Sequence, residues 1–493
     1  MLALQFLREN KEAILKGLEK RNFKQPELID SIIELDQERR SQQATLDKQL
    51  ARANQLAKEI GNLFKNGEAK KATVLKEETA TLKSQTKALQ EQLQETSNAL
   101  FELRTQIPNV PHEIVPAGTT EEDNEEIFKS GSIPQLDEKA LPHWELASKY
   151  DLIDFELGSK ITGAGFPVYK GKGARLQRGL INYFLDQNTA AGYKEMQVPH
   201  LVNEASGFGT GQLPDKEGQM YHVQNDDLYL IPTAEVPLTN LYRNTLLEAS
   251  ELPICMTGYT PCFRREAGSY GAHVRGLNRL HQFDKVEIVR VEEPQNAMQA
   301  LDQMVEHIKS ILNTLELPYR ILRLCGGDIG FTSALTYDFE IYSTAQERWL
   351  EISSVSTFNS FQAERLQLRY KDKTGKKQNV HTLNGSSLAL PRVVAAHGYN
   401  VETEIVGTHA TLRIGSVPQK NLVEILDKEG VRKECSQSFN ERFEVAFKNE
   451  IQEFIACIVE ERHPEISAHD GTQASYIAEM STESFKNNIL INL

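Results

Sequence analysis

Apolar residues recur at alternating three- and four-residue steps over residues 28–63, and the same spacing resumes over residues 75–103. Between the two runs lies Asn66-Gly67, a dipeptide that favours a turn. Two heptad runs separated by such a turn predict two long helices that fold back on each other as an antiparallel coiled coil. Each helix of about 38 residues would project by roughly 55 Å, which is too far for a core element.

The second helix is predicted to stop at Pro108 and Pro111, and the acidic stretch after it has the composition of a linker. From about residue 140 to 396, short β-rich runs alternate irregularly with a few helices, which favours a largely antiparallel α+β domain. We predict a helix over 176–190 and strands over 195–202, 228–231, 286–291, 334–342 and 349–354. The expected divisions are a helical arm (1–110), a linker (111–139), an α+β domain (140–396) and a C-terminal segment (397–493).

The composition narrows the possible classes of protein. Charged residues make up 25 % and hydrophobic residues 40 % of the 493 residues, as in ordinary globular proteins. No apolar run approaches the roughly 20 residues that span a bilayer, so we expect a cytoplasmic protein without membrane contact. Five scattered cysteines without a CxxC pair argue against disulfides and structural zinc. A net charge of −14 argues against nucleic-acid binding over the whole surface, but it allows a local basic patch.

The chain has neither a GxGxxG strand–helix fingerprint nor a P-loop, so a bound nucleotide would have to be held by arginines and strands. Residues 258–291 contain Phe-Arg-x-Glu, a loop, and then Arg-x-His-Gln-Phe-x-Lys-Val-Glu. This string resembles motif 2 of the class II aminoacyl-tRNA synthetases in its seryl form. Guanidinium groups suit that chemistry because they give permanent, bidentate stabilisation to charge that builds on phosphorus. The alternative for any single residue is a solvated hairpin rich in Arg and Glu.

The resemblance implies a role for each matching position of motif 2. Arg264 would bridge the serine carboxylate and the α-phosphate of ATP, and Glu266 would contact the adenine amino group. Phe283 would stack under the adenine ring, and Arg279 would hold the β- and γ-phosphates. Glu287 would recognise the serine itself.

Two further blocks resemble the same family in the same order. Thr233-Ala234-Glu235 resembles the loop that binds the serine amino group and hydroxyl. Residues 336–354 resemble the strand pair in which Glu351 and Ser354 hold Mg²⁺ on the phosphates. One carboxylate with a hydroxyl and substrate oxygens is a usual way to hold this ion, although an exposed strand carboxylate is the ordinary alternative for Glu351 alone. The further ATP contacts implied by the resemblance are Arg265, Ile352 and Ser353.

Residues 381–396, HTLNGSSLALPRVVAA, resemble motif 3 of the family. Asn384 and Ser386 match serine-binding positions, and Arg392 matches the arginine on the γ-phosphate. One departure precedes this motif, since Glu364 stands where many relatives carry arginine.

In this family the antiparallel arm reaches the long variable arm of tRNA-Ser, which makes tRNA-Ser the expected partner and tRNA-Sec a further candidate. Near the hairpin tip, over residues 58–76, five lysines face two glutamates, a local charge of +3 that suits phosphate contact. A solvated helical face is the alternative. The five lysines are Lys58, Lys65, Lys70, Lys71 and Lys76.

Pro199 matches the motif 1 proline at the family's dimer interface, so a homodimer is expected.

Past residue 396 the resemblance to the synthetases ends. Residues 397–493 carry a Gly-Tyr-Asn-Val run and a Gly-Thr-x-x-Thr-Leu-x-Ile-Gly run. These are similar to the C-terminal end of inositol/glucose–fructose dehydrogenase-type oxidoreductases. No nucleotide-binding half accompanies them, so this resemblance indicates where the segment came from and not that it is active. The segment is either the product of a gene fusion or an unusual natural appendage.

The sequence as a whole predicts an ATP- and Mg²⁺-dependent class II ligase of L-serine and tRNA-Ser with an α+β fold. An inactive tRNA-binding protein is the alternative, because the helix that bears Arg392 is cut short. An oxidoreductase is disfavoured because the dinucleotide site is missing, and NAD is therefore not expected.

Overall fold

The computed structural model describes residues 1–133, 141–215, 217–266, 276–397, 424–427 and 430–433. The chain divides into two compact units, Met1–Asn400 and Val401–Leu493. Across the described ranges, no helix combines the length and the apolar character that a membrane crossing requires.

The N-terminal part of the first unit consists of helices α1 (Leu4–Glu9), α2 (Lys11–Lys20), α3 (Leu28–Lys65) and α4 (Ala69–Gln106). The two long helices have 38 residues each and pack against each other as the predicted antiparallel pair. Gly67 in the turn has a φ of +76°, which a residue without a Cβ adopts without steric cost. At 1.5 Å per residue, each helix is about 57 Å long.

The contact between α3 and α4 is a narrow seam, as the heptad spacing predicts. Leu46 and Leu56 of α3 face the seam and are almost fully buried, as is Leu100 of α4. The seam also contains polar residues, because the Thr86 hydroxyl donates to Gln49 Oε1 at 3.3 Å. This contact fixes the register between the two helices in the middle of the arm.

The base of the arm belongs to a hydrophobic core, unlike its tip. Asp36 is fully buried there, and it accepts hydrogen bonds from Arg8 and, at 2.8 Å, from Arg39. Apolar residues of α1 to α4 surround this cluster and contact the first residue of a short helix in the following domain. The buried residues of this core are Met1, Leu2, Leu7, Ile14, Leu18, Ile29, Ile32, Leu100, Ile107 and Phe361.

The strands of the first unit are short at the start and long in the middle of the domain. Their bounds are β1 (Glu125–Ser130), β2 (Ile153–Asp154), β3 (Val168–Tyr169), β4 (Lys194–Glu195), β5 (Leu201–Asn203), β6 (His222–Val223), β7 (Leu228–Leu230), β8 (Leu246–Glu248), β9 (Ile254–Phe263), β10 (Gln282–Glu292), β11 (Tyr319–Arg323), β12 (Leu335–Ser343), β13 (Arg348–Thr357), β14 (Arg369–Lys371), β15 (Lys377–Asn379) and β16 (His381–Ala389).

An eight-stranded sheet in the order β1-β11-β12-β13-β16-β10-β9-β4 organises the domain. Every neighbouring pair in it is antiparallel except β4 with β9. Smaller sheets pair β5, β7 and β6, then β15, β14 and β8, and finally β2 with β3. The α+β class predicted from the sequence is confirmed.

Helices cover the sheet and complete its core. Their bounds are α5 (His143–Lys149), α6 (Phe155–Ile161), α7 (Gly171–Ala190), α8 (Glu204–Thr210), α9 (Glu235–Asn240), α10 (Ala297–Thr314), α11 (Phe361–Leu366) and α12 (Leu390–His397). Phe184 of α7 and Met304 of α10 pack with Phe339 and Ile352 of the central strands in one large core. With this face of the sheet covered by helices, polar residues can collect elsewhere on the central strands.

The structure differs from the sequence prediction most clearly in three segments, and strands such as β9, β11 and β16 were not predicted at all. The segment predicted as a linker contains β1, which pairs with β11 at the sheet edge. The strand predicted over 195–202 is two strands, because β4 joins β9 while β5 leaves for a small sheet with β7. The helix predicted from residue 176 begins at Gly171. Each difference comes from strand or helix pairing that the local pattern does not show.

Of the second unit, the structure describes the antiparallel pair β17 (Glu424–Asp427) and β18 (Gly430–Lys433). The oxidoreductase-like runs singled out in the sequence lie outside the described residues.

Candidate active site

An open cleft lies where the central strands meet the N-terminal end of α12. Strand β10, the end of β9, β13 and β16 contribute its walls, and residues before β10 contribute its rim. Most of its polar lining is charged, and three of its residues are arginines. The lining consists of Arg264, Glu266, Leu277, Asn278, Arg279, Leu280, Phe283, Lys285, Glu351, Ile352, Ser386, Ala389, Pro391 and Arg392.

A buried polar cluster continues inward from this cleft. Lys285 Nζ lies 2.6 Å from Glu287 Oε2 and donates to the Thr233 hydroxyl at 2.9 Å. The Thr233 hydroxyl lies 3.3 Å from the same carboxylate, and Asn384 Nδ2 donates to its other oxygen at 3.2 Å. Glu287 is 1 % exposed. An ionised carboxylate this deeply buried requires such partners, because isolated charge is strongly disfavoured away from water.

Glu235 is a second carboxylate beside this cluster. It opens α9, and its backbone N–H donates to the Thr233 hydroxyl at 3.2 Å. Gln362 Nε2 donates to its Oε1 at 2.7 Å. Burial, followed by the nearby charge of Glu287, raises the pKa of Glu235 to about 7. The pocket therefore holds two buried carboxylates close to each other, with Lys285 and Arg264 as the nearby cations.

Two contacts connect the predicted motif 2 residues to each other. The Arg264 guanidinium lies over the Phe283 ring, 5.2 Å from its centroid, and its Nε donates to the Pro232 carbonyl oxygen at 3.3 Å. Arg279 Nη1 and Glu266 Oε2 form an ion pair of 2.9 Å at the rim. These side chains are thus grouped along one side of the cleft.

Arg392, at the start of α12, also lines the cleft. Its Nη1 donates to the Glu351 carbonyl oxygen at 2.8 Å and lies 3.3 Å from the Glu351 carboxylate. Its Nε donates to the Asn278 carbonyl oxygen at 3.3 Å. Leu390 and Val393 anchor this part of α12 in the core, where both are 0 % exposed. The helix therefore holds the guanidinium at the cleft although it ends at His397.

Glu351 and Ser354 lie on β13, opposite two acidic residues of β12. Ser354 pairs with Asp338, and Glu351 pairs with Glu340 across a bulge in the register. Asp338 Oδ1 is buried without a hydrogen-bond partner. Burial, followed by the charge of Glu351, raises the pKa of Asp338 well above its ordinary value. This part of the sheet therefore concentrates carboxylate oxygens whose charge the described protein groups only partly balance.

Not every residue predicted for the site contributes a side chain to it. Arg265 is exposed and does not line the cleft; its backbone N–H donates to the Gln219 carbonyl oxygen. The Ser353 hydroxyl donates to the Ser386 carbonyl oxygen at 2.6 Å, and Ile352 is a core residue that only borders the cleft. These two residues fix β13 against β16.

Lys285, Asp338 and Gln362 belong to the site region and were not predicted. A signal for Lys285 was present in the sequence, because alternate residues of a strand point to the same face. Lys285 lies midway between Phe283 and Glu287, both of which were predicted. Gln362 had no such signal, since its partner Glu235 is distant in the chain.

Comparisons with known proteins agree with this arrangement. The model of the seryl-tRNA synthetase N-terminal domain matches residues 1–111, and that of the tRNA synthetase class II core domain (G, H, P, S and T) matches residues 220–399. A serine–tRNA ligase of Salinibacter ruber is 49 % identical over 397 residues, which cover 80 % of this chain and 93 % of the relative.

The chain belongs to the seryl-tRNA synthetase family. Another relative, the serine–tRNA ligase of Hydrogenobaculum sp., is 44 % identical and covers 82 % of this chain and 96 % of the relative. Among solved structures, the seryl-tRNA synthetase of Pyrococcus horikoshii complexed with ATP has a TM-score of 0.74 at 30 % identity, covering 80 % of this chain and 93 % of that one. The enzyme class predicted from motif 2, a class II serine–tRNA ligase, is confirmed by this membership.

The buried Lys285–Glu287 pair of this seryl-tRNA synthetase gives a stability prediction. Lys285→Met should lower the free energy of unfolding by about 3–5 kcal/mol, because it leaves Glu287 charged beside Glu235 without its cation. The double variant Lys285→Met, Glu287→Gln should recover most of that loss, because it removes both charges. Urea unfolding of the first unit, followed by circular dichroism, measures the difference. Equal destabilisation by the single and the double variant would contradict the pairing.

Proposed function

We propose that this seryl-tRNA synthetase joins serine and ATP in the cleft and its inner cluster, using the residues described there. The serine carboxylate oxygen attacks the α-phosphorus of ATP, pyrophosphate leaves, and seryl-adenylate remains. A ribose hydroxyl at the 3′ end of tRNA-Ser then attacks the seryl carbonyl carbon, and AMP leaves. Support comes above all from one observation, the cluster of Thr233, Glu235, Lys285 and Glu287 at the inner end of an arginine-lined cleft.

In this proposal the inner cluster binds serine through its opposite charges. The substrate ammonium group lies against the Glu235 carboxylate, of which Gln362 contacts one oxygen. The serine hydroxyl bonds with Glu287, which Asn384 and Thr233 already orient. Ala234 and Ser386 shape the walls beside it. A pocket of this kind discriminates against alanine because its polar groups would stay unpaired.

ATP binds along the arginine side of the cleft in the same proposal. Arg264 contacts both the serine carboxylate and the α-phosphate, where its charge stabilises the phosphorus centre as negative charge develops. Arg279 and Arg392 hold the outer phosphates, with Glu266 and Phe283 at the adenine. Both outer arginines already form ion pairs with carboxylates, so phosphate binding would exchange one anionic partner for another.

The residues of β12 and β13 fit a magnesium ion. Glu351 and Ser354 would hold it together with phosphate oxygens, in keeping with the hard oxygen ligands that Mg²⁺ prefers. The orphaned Asp338 Oδ1 and the carboxylate pair of Asp338 and Glu351 also suit a cation nearby. When bound, the ion supplies neutralisation of phosphate charge.

The arm is proposed to bind tRNA-Ser, with tRNA-Sec as a further substrate. All five predicted lysines are exposed near its tip, although Lys71 pairs with Glu68 and Lys76 lies over the Phe64 ring. Their exposed ammonium groups would contact the phosphates of the tRNA at a low desolvation cost. The predicted arm (1–110) and catalytic region (140–396) are retained here as functional divisions. We place the enzyme in the cytoplasm.

A homodimer is proposed on the side of the domain that carries α6 and α7. Leu157, Ile161 and Leu176 expose large apolar side chains there, with Ile161 75 % exposed. A group of exposed apolar side chains of this kind is typical of a protein interface. Pro199, the motif 1 proline, follows α7 in the chain.

Residues 397–493 are proposed to be a segment of oxidoreductase origin without activity of its own. The class II core match ends at residue 399, next to the boundary between the two compact units. Sequencing fresh genomic DNA across codons 390–400 tests whether the fusion is encoded. The alternative of an inactive tRNA-binding protein is less well supported, because Arg392 remains seated at the cleft.

Arg264→Ala should reduce serine-dependent pyrophosphate exchange by about 10² to 10³, since its charge acts on the transition state. The thermal midpoint should remain within a few degrees, because the side chain lies at the cleft rather than in the core. Arg369→Ala, at a half-buried arginine outside the cleft whose side chain donates to Gln367, is the matched control and should keep normal exchange. Normal exchange by folded Arg264→Ala would overturn the assignment of motif 2.

Replacing residues 51–84 by a short Gly-Ser turn should spare pyrophosphate exchange but lower tRNA-Ser charging strongly. The cut leaves the Thr86–Gln49 contact and the buried base of the arm intact. The measurement is the kcat/KM for tRNA at several salt concentrations. Because each lysine–phosphate contact makes binding weaken as salt rises, the variant that lacks these contacts should depend less on salt. Unchanged tRNA affinity would show that the arm has another role.

The kcat/KM for serine in pyrophosphate exchange should fall as the pH drops below about 7. The pKa of Glu235 is raised to about 7, so the protonated fraction of Glu235 increases below that pH. The carboxylate that receives the ammonium group is then lost. The fall should approach tenfold per pH unit well below the pKa. Glu235→Gln should have a low kcat/KM for serine that does not fall further as the pH drops below 7. A flat wild-type profile from pH 6 to 8 would contradict the role of Glu235.

A further inference from the structure

Helix α11 (Phe361–Leu366) lies between the serine pocket and the base of the helical arm, and its side chains contact both. Gln362 is 1 % exposed and reaches the pocket. Glu364, two residues later, reaches α4 of the arm. None of the family motifs used above assigns either residue a role.

Gln362 makes a complete set of hydrogen bonds around Glu235. Its Nε2 donates to Glu235 Oε1 at 2.7 Å and to the Thr210 carbonyl oxygen at 3.2 Å. Its Oε1 accepts from the Thr382 hydroxyl at 2.7 Å. The carboxylate and the carbonyl oxygen can only accept, so the amide nitrogen has to face them. Those two acceptors therefore determine which way the amide points, and the Thr382 hydroxyl of β16 donates to its oxygen.

The other end of α11 is fastened to the arm. Arg104 Nη2 near the end of α4 lies 3.0 Å from Glu364 Oε1 and also donates to the Leu2 carbonyl oxygen at 2.8 Å. Asn379 Nδ2 donates to the second Glu364 oxygen at 3.2 Å. The side chains of the ion pair are 11 % and 18 % exposed, so water screens it less than a surface pair.

Arg365 holds the middle of the helix. Its guanidinium lies over the Phe208 and Phe361 rings, 4.6 and 5.2 Å from their centroids. It also donates to the carbonyl oxygens of Phe208 and Leu213 at 3.1 and 3.2 Å. Because α11 is only six residues long, a shift of the Glu364 end would move Gln362 with it.

We propose that Gln362 is a positioning residue for serine recognition, and that the Arg104–Glu364 ion pair keeps its helix in place for that task. The proposal rests on the proposed function, in which Glu235 receives the serine ammonium group. Gln362 acts only through Glu235. Its amide hydrogens orient one carboxylate oxygen and stabilise the negative charge, while the other oxygen is left for the substrate.

The environment of Glu235 makes this support important. Glu287, Lys285 and Arg264 are the charged groups that act on it from β10 and the end of β9, and Gln362 is its donor from α11. A buried carboxylate near another carboxylate needs a fixed donor to remain charged and oriented. Losing that donor should weaken serine binding and leave ATP binding unchanged.

Gln362→Met, similar in shape but without the amide, should raise the KM for serine in pyrophosphate exchange by about tenfold to a hundredfold. Gln362→Glu should raise it at least as much, because it turns an acceptor toward two acceptors. The KM for ATP and the kcat at saturating serine should stay within about twofold of wild type. Those two values, with the thermal midpoint, distinguish a positioning effect from loss of the fold.

Glu364→Arg should raise the KM for serine by about threefold to tenfold, since it places like charges together beside Arg104. The reversed pair Arg104→Glu, Glu364→Arg should recover most of that loss. Arg52→Ala is the matched control, because Arg52 pairs with Glu78 farther along the arm and does not contact α11. Its KM for serine should equal that of wild type.

Glu235→Gln separates the two levels of the proposal. If it leaves the KM for serine unchanged, the proposed pocket itself is wrong. If it raises the KM while both Gln362 variants remain within twofold of wild type, the positioning role of Gln362 is wrong. Failure of the reversed pair to improve on Glu364→Arg would overturn the role of the arm contact.

Discussion

Two carboxylates, Glu235 and Glu287, are buried close together, and Lys285 of β10 and Arg264 are the cations beside them. Burial of this much like charge is unfavourable, so the surrounding fold has to supply donors in fixed positions. Those donors come from four places in the chain: the loop before α9, β10, β16 and α11. The antiparallel sheet brings these distant segments together, because β10 lies directly between β9 and β16. The site is thus a constraint on the whole domain rather than on one motif.

The helical arm is subject to a different constraint. Its seam contains residues such as Thr86, and its tip is largely exposed, so the outer part contributes little to the core. Only the base, with Asp36 and the apolar cluster around it, packs as a domain core does. The tip has five exposed lysines in a chain with a net charge of −14, so the local charge has the opposite sign to the net charge. The arm and the catalytic sheet therefore have separate energetic requirements and meet only at the base.

The sequence predicted those parts of the fold that local patterns control. Heptad spacing and Asn66-Gly67 predicted two long helices joined by a turn, with runs over 28–63 and 75–103, and the helices extend over 28–65 and 69–106. Of the strands of motif 2 and motif 3, only part of β10 was predicted, over 286–291, whereas β9 and β16 were not. Pairing at the sheet edge was not predicted, since β1 and β4 depend on the partners β11 and β9 far along the chain. Gln362 was missed for the same reason: its importance comes from contacts across 127 residues of sequence.

The charges of the cleft suggest why the two substrates belong together. Near Glu235 two buried carboxylates lie close together, whereas Arg264, Arg279 and Arg392 line the outer cleft. In the proposed mode of binding, a serine zwitterion would bring its ammonium group to Glu235 and its carboxylate toward Arg264. The triphosphate of ATP would then replace the carboxylates of Glu266 and Glu351 as the anionic partners of the outer arginines. Glu266 would thereby be released for the adenine, and Glu351 for a cation on the phosphates. In this arrangement each substrate neutralises charges of the protein that the other substrate does not reach. The arrangement therefore favours a reactive state in which both substrates are bound.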